Sequence, residues 1–211
     1  SRVAEVLCEG WREIRCGRRP VLGVPEGPYL EQTSPEGMAA FREHAKKLEA
    51  DGYVVQHVAA LREIDLINER HTHLIAGEAA RQHAAWFAEY ETRYRPRTAE
   101  LIRWGQSIDE AEIELGREGR ADLQGELQAL MERHGIDLWI CPSAPGAAPE
   151  GLDSTGDPAM NLPWTHAGLP VLSLPVGRAA NGLPFGLQCI AGFHCDEVLL
   201  GWGRMLAKVF D

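Results

Sequence analysis

Residues 20–58 read PVLGVPEGPYLEQTSPEGMAAFREHAKKLEADGYVVQHV and predict a strand, a helix and a second strand, in that order. The apolar run at the start ends at a proline and a glycine, as short buried strands do. Ser34 and Pro35 then supply a helix N-cap and a first-turn proline, and Gly52 follows as the C-cap. A β-branched strand begins directly afterwards, at 53–58. This succession is typical of a parallel or mixed sheet and predicts an α/β fold.

The middle of the chain, about 65–135, predicts a long helical insert. Apolar residues recur there three or four positions apart until Pro96 interrupts the pattern. Asp65 predicts the N-cap of the first helix, Ser107 opens a capping box for the last one, and Gly135 ends the stretch. The predicted fold class is therefore α/β, with a mixed β-sheet flanked by helices and interrupted by this insert.

The last third of the chain predicts strands and a long loop in place of long helices. Residues 136–145 predict a strand that runs into a loop, and 145–163 is rich in proline, glycine and alanine. Two apolar stretches, 169–177 and 183–192, are joined by an Asn-Gly turn and predict a hairpin. Asp196 predicts the cap of a final helix. A loop as long as 145–163 inside a compact domain is usually functional or poorly ordered.

Composition excludes several classes of partner. The 211 residues contain 21 Lys+Arg and 31 Asp+Glu, which gives a net charge of −10 and argues against nucleic acid. No stretch approaches the ~20 apolar residues that a membrane span needs, and the charged first 30 residues do not resemble a signal peptide. Five cysteines without a CxxC pair predict reduced thiols in a cytoplasmic protein.

A histidine-rich helical segment is the first candidate for a metal site. His71 and His73 point about 200° apart on a helix, because each residue turns by ~100°. Glu78 and His83 are five residues apart and miss the spacing of a zinc-binding helix. The glycines of the chain follow neither the dinucleotide nor the Walker A spacing. We therefore expect no metal and no cofactor.

A nucleophile with a base is not evident either. The chain contains no G-x-S-x-G elbow. Cys141 lies at a predicted strand end, so a Cys141–His166 pair gives the hypothesis of a cysteine hydrolase; alternatively, Cys141 is a small buried residue. Ser143 is interpreted as a loop serine that bonds to the backbone. Gln188, polar within an apolar strand, predicts a hydrogen bond across the sheet.

Three ordered segments resemble the amidase signature family of amide hydrolases. They are DLWICPSAPGAAP (137–149), NLPWTHAGLPVLSLPVG (161–177) and GLPFGLQCIAGFHCDEVLL (182–200). The resemblance is most specific over about 136–205, and the upstream strand, helix and strand occur in the expected order. Residues 1–211 as a whole therefore resemble one partial amidase-signature domain.

The resemblance implies a catalytic apparatus that this chain does not show. Family members use a serine nucleophile, a second serine in a cis peptide and a lysine base, in a Gly/Ser-rich region and a preceding Lys segment, upstream of the part that matches. This chain has no Gly/Ser-rich stretch, and its three lysines are Lys46, Lys47 and Lys208. A lysine base must be neutral near pH 7, which requires burial. We therefore assign no catalytic residue here and expect the chain alone to be inactive.

The resemblance instead implies that this chain contributes walls of a substrate site. The candidates are Ser143, Asn161, Trp164, Thr165 and His166. The substrate of the complete enzyme would be a small carboxamide, cleaved at its C–N bond. An alternative is a non-catalytic amidase-like subunit or binding module completed by a partner chain. Half a sheet leaves an open edge, so we expect self-association or a partner that supplies the missing half.

Overall fold

The computed structural model describes residues 2–210 and contains a mixed five-stranded sheet with helices on both faces. The strands are β1 (Leu22–Glu26), β2 (Val55–Ala59), β3 (Leu138–Pro142), β4 (Val171–Arg178) and β5 (Pro184–Ile190). The helices are α1 (Arg2–Leu7), α2 (Pro28–Glu31), α3 (Pro35–Ala50), α4 (Ile64–Tyr90), α5 (Pro96–Gly105), α6 (Glu110–His134), α7 (Leu162–Ala167) and α8 (Asp196–Ala207), with a 3₁₀ turn at Glu91–Arg93.

The strand order is β2-β1-β3-β5-β4. β1 pairs in parallel with β2 and with β3, and Leu22 lies opposite both Val55 and Leu138. β5 runs antiparallel to β3 and to β4. The predicted strand–helix–strand unit is β1, α3 and β2, and the α/β fold class with a mixed sheet is confirmed.

Two apolar cores lie on opposite faces of the sheet, because side chains alternate along a strand. Leu138 and Ile140 pack with α3 and α8 on one face. Trp139 and Cys141, one residue further along, pack with α2, α6 and α7 on the other. All four side chains are fully buried. The β3 strand is therefore an uninterrupted apolar run, as expected for a strand covered on both sides.

Two of the predicted helix ends are confirmed at atomic detail. The Ser34 side chain accepts a hydrogen bond from the Gly37 amide at 3.1 Å, which caps α3. Gly135 ends α6 in the left-handed conformation at φ 62°, where glycine is favoured over residues with a Cβ.

Three other predicted helix starts are wrong. Asp196 lies in the first turn of α8, whose N-cap position is occupied by Cys195. The α4 helix begins at Ile64, so Asp65 lies in its first turn, where a carboxylate favours the helix dipole. Ser107 belongs to the end of α5, since its hydroxyl donates to the Trp104 carbonyl at 2.7 Å. Asp109 occupies the N-cap position of α6 instead.

Helices α4, α5 and α6 cover most of the stretch expected to be a helical insert. They approach closely through glycines: a Cβ at Gly77 on α4 would lie 2.7 Å from Cγ1 of Ile113 on α6. None of the helices within residues 2–210 is both long and apolar enough to cross a bilayer.

Candidate functional site

A cleft of about 770 Å³ lies at the carboxyl end of β3. It is bounded by the N-terminal half of α3, by the start of β5 and by the loop that follows β3. Ligand sites of α/β sheets occur at the carboxyl ends of parallel strands. The volume falls within the range of about 300–1,000 Å³ that small-molecule sites occupy. Position and size therefore make this cleft the candidate site.

The walls of the cleft combine two aromatic rings with polar side chains, of which Asp157 is the one carboxylate among the residues that the structure describes. Phe41 on α3 and Phe185 on β5 supply the rings, and His44, Ser143 and Asn161 supply the polar atoms. His44 is 8% exposed and packs edge-on against Phe210. Burial, helped by the charge of a nearby lysine, lowers the pKa of His44. Its imidazole is therefore neutral at pH 7, so one ring nitrogen donates and the other accepts.

The loop that lines the cleft is fixed to the N-terminus of α3. The Ser34 amide donates to the Pro145 carbonyl at 2.7 Å. A Cβ at Gly37 would lie 2.5 Å from the same carbonyl oxygen, so glycine is required for this approach. The Ser143 amide donates to the Gly186 carbonyl at 3.1 Å, and the Asn161 side-chain amide donates to the Ser143 carbonyl at 3.3 Å. Both ends of the loop are thus held beside the cleft.

A buried hydrogen-bond network supports the segment that carries Asn161. The Tyr29 hydroxyl donates to the Met160 carbonyl at 2.8 Å and accepts from the Trp164 indole at 2.9 Å. The Gln188 side chain donates to the same Met160 carbonyl at 3.0 Å and, across the sheet, to the Cys141 sulfur at 3.4 Å. The predicted cross-sheet hydrogen bond of Gln188 is confirmed. These bonds satisfy polar groups that would be costly to bury unpaired.

The structure divides the five predicted substrate-site residues into two groups. Ser143 and Asn161 line the cleft. Trp164, Thr165 and His166 lie outside the cleft lining, because helix α7 turns Trp164 and His166 into the core and leaves Thr165 exposed on its outer side. Trp164 is fully buried, and its indole donates a hydrogen bond to the Tyr29 hydroxyl.

His166 is the most unusual of these side chains. It is 2% exposed, and neither ring nitrogen has a hydrogen-bond partner within residues 2–210. Its ring packs edge-on against His71, with the centroids 5.4 Å apart. Burial, assisted by the nearby His71, Arg120 and Arg70, lowers the pKa of His166 to about 4. The imidazole is neutral in the folded protein at pH 7.

The cysteine-nucleophile hypothesis is wrong. Cys141 is fully buried, and burial raises the pKa of its thiol to about 12, so the reactive thiolate is absent at neutral pH. Its sulfur contacts the Tyr29 hydroxyl at 3.1 Å and the Gln188 amide, with no imidazole among its hydrogen-bond partners in the described chain. Cys141 is a core residue.

The histidines of the candidate metal cluster lie apart. His71 faces the core beside α7, whereas Nδ1 of His83 lies 2.9 Å from the Tyr94 hydroxyl. Across residues 2–210, no three His, Cys, Asp or Glu side chains are arranged to hold a metal ion.

Sequence reasoning missed most of the cleft lining, including Phe41, His44, Asp157 and Phe185. In the sequence, Phe41 is visible only as an apolar position of α3. His44 is three residues further along, on the same face of that helix, and this spacing is the available signal. Phe185 follows the predicted hairpin turn and carries no comparable signal.

The sequence model of the Amidase family matches residues 16–200. The match covers most of the chain, and the chain therefore belongs to the Amidase family.

Curated relatives match a shorter part of the chain. A glutamyl-tRNA(Gln) amidotransferase subunit of Picosynechococcus sp. is 40% identical over 72 residues, covering 31% of this chain and 15% of that protein. The same amidotransferase subunit of Thermosynechococcus vestitus is 45% identical over 71 residues, covering 30% and 15%.

Solved structures match nearly the whole chain. An amidase crystal structure superposes with a TM-score of 0.84 at 26% identity, covering 97% of this chain and 49% of that one. Fatty acid amide hydrolase has the same fold, with a TM-score of 0.78 at 15% identity, covering 95% and 42%. The chain thus spans about half the length of these solved proteins and a smaller part of the curated relatives.

Proposed function

We propose that the chain is the C-terminal portion of an amidase-family hydrolase that cleaves carboxamide C–N bonds. In this proposal the chain supplies substrate-cleft walls, and the serine nucleophile and lysine base come from outside these 211 residues. The observation that carries the proposal is coverage: 97% of the chain superposes on only 49% of a solved amidase.

The positions of the three lysines support the proposal that the general base lies outside this chain. Lys46, Lys47 and Lys208 are all exposed, and the Lys46 ammonium pairs with Glu43 at 2.8 Å. A lysine that acts as a general base requires burial, which these three side chains lack. None of the three lines the cleft.

The cleft supplies the groups that a carboxamide needs for binding. Ser143 offers a hydroxyl donor, and Asn161 offers its side-chain carbonyl as an acceptor, since its amide already donates to the Ser143 carbonyl. Phe41 and Phe185 provide apolar surface for the rest of the molecule. In this proposal the walls supply groups that bind the amide but no nucleophile that attacks it.

The test combines hydrolysis with covalent labelling. The purified chain is incubated with benzamide, followed for ammonia release, and treated with a fluorophosphonate that reacts only with activated serines. We expect neither turnover nor labelling, in the wild type or in a Ser143→Ala control. Turnover by the purified chain, whether or not it survives substitution of all three lysines by methionine, would contradict the proposal. Labelling of Ser143 that is lost in Ser143→Ala would contradict it as well.

A second candidate function is that of an amidase-like subunit or binding module completed by a partner chain. The curated relatives are named as a subunit of an amidotransferase, and one solved neighbour as part of a vestigial protein complex. The outer edges of β2 and β4 have no strand partner within residues 2–210, and Val171 on β4 is 41% exposed. Such edges favour association. Analytical ultracentrifugation showing a monodisperse monomer that binds no hydrophobic dye would argue against this candidate.

We further propose a cytoplasmic location. The five cysteines are all free thiols, in keeping with a reducing compartment.

A further inference from the structure

The lining of the cleft contains no cation to pair with an anionic ligand. In the part of the chain that the structure describes, neither a lysine nor an arginine lines it, although the sequence has 21 of them. The charged residue among its walls is Asp157, which is exposed. His44, the remaining titratable group of the lining, is neutral at pH 7 because burial lowers its pKa.

A carboxylate entering this cleft would lose hydration without gaining a cationic partner. Transfer of an ionised carboxylate from water is strongly unfavourable unless it is paired. Here it would meet the Asp157 carboxylate and the Asn161 side-chain carbonyl, both of which repel it. A neutral ring meets Phe41 and Phe185 instead, and aromatic pairs contribute favourably to binding.

We propose that the cleft selects amides whose non-reacting portion is an uncharged or cationic aromatic group, and discriminates against amides that carry a carboxylate. This inference rests on the proposed function, because it names the substrate class of the same site. In this proposal the carboxamide group binds Ser143 and Asn161, the ring packs on the apolar wall that includes Phe185, and any cationic substituent faces Asp157.

Three matched ligands test the charge selectivity by binding to the chain itself. Benzamide, 4-(aminomethyl)benzamide and 4-carbamoylbenzoate share the aryl carboxamide and differ in one substituent, which is absent, cationic or anionic. Titrations are followed by ¹⁵N–¹H NMR at the cleft amides of Ser143 and Gly186. We expect the first two to bind and the anionic ligand to bind at least about 10-fold more weakly, because its carboxylate gives up part of its hydration without a cation to pair with.

A matched pair of charge insertions sharpens the test. Ala40→Lys places a cation on the cleft face of α3, whereas Ala39→Lys adds the same charge on an exposed position of α3 that lies outside the cleft. We expect Ala40→Lys to improve binding of 4-carbamoylbenzoate by about 3-fold, a typical gain for a partly exposed ion pair. Ala39→Lys should leave all three affinities within error of the wild type.

The outcomes separate this inference from the proposed function. Equal binding of the anionic and neutral ligands, or binding of none of the three, overturns the inference. Equal responses of the two lysine variants would overturn it as well. None of these results concerns hydrolysis or serine labelling, which decide the proposed function.

Discussion

Replacing the buried, unpartnered His166 by leucine should make the stability of the protein less sensitive to acid. In the unfolded chain a histidine takes up a proton near pH 6.5, whereas burial keeps the pKa of folded His166 at about 4. Between these values the unfolded state binds more protons than the folded state. Stability therefore falls as the pH is lowered through this range and is fully retained only above it.

The size of the effect follows from the two pKa values. A pKa difference of one corresponds to about 1.36 kcal/mol, so lowering from 6.5 to about 4 makes the full loss about 3 kcal/mol. At pH 4.5 most of this loss, about 2.5 kcal/mol, is already present. The cationic Arg70 and Arg120 and the imidazole of His71 all oppose protonation of His166.

The assay is urea unfolding at pH 7.5 and at pH 4.5 for the wild type and His166→Leu. At pH 7.5 the variant should be at least as stable as the wild type, because leucine removes two buried nitrogens that lack partners. At pH 4.5 the difference in free energy of unfolding between the variant and the wild type should be about 2.5 kcal/mol more favourable to the variant than at pH 7.5. Exposed His134 supplies the control His134→Leu, which should follow the wild type. Equal losses in the free energy of unfolding of the wild type and of His166→Leu between pH 7.5 and pH 4.5 would refute the reasoning.

Three further expectations concern the groups that hold the cleft and the burial of the core. Gly37→Ala should lower the free energy of unfolding by about 1–3 kcal/mol in urea titrations, because the new methyl group meets the loop carbonyl 2.5 Å away; Gly125→Ala, with open space around it on α6, should instead raise it by about 0.5–1 kcal/mol. Tyr29→Phe should cost about 1–3 kcal/mol in the same assay, since a buried carbonyl and indole lose their partner; a neutral result would show that water replaces the hydroxyl. Iodoacetamide at pH 7.5, read by peptide mass spectrometry, should modify exposed Cys8 and spare Cys141; equal rates would contradict the burial of Cys141.

The strands and α3 could be predicted because their signals are local. Alternating or continuous apolar runs mark β1, β3 and β5, and Ser34 caps α3 as its position indicates. Ser107 misled the prediction for α6, because Ser107 and Asp109 are both good N-cap residues and only the tertiary position of the α5 end separates them.

The site could be predicted only in part, since its walls come from distant segments. Ser143 and Asn161, which line the cleft, could be singled out because each lies within a segment that resembles the family. The side chains of Trp164 and His166 point into the core because of the helical turn of α7. A helix of six residues is too short to be predicted from its periodicity. Phe185 reaches the cleft through antiparallel pairing of β5 with β3, a contact between residues more than 40 positions apart.

The cleft does not depend on catalytic residues for its shape. Its loop is held by Ser34, Gly37 and Gly186, and the segment that carries Asn161 is held by the network around Tyr29, all within the described chain. The β3 strand that presents Ser143 is covered by apolar side chains on both faces. Because these supports are internal, substrate selection by charge can be measured on this chain without hydrolysis. If the proposed division is correct, binding selectivity and C–N cleavage reside on separate segments, and variants such as Ala40→Lys should change selectivity without creating activity.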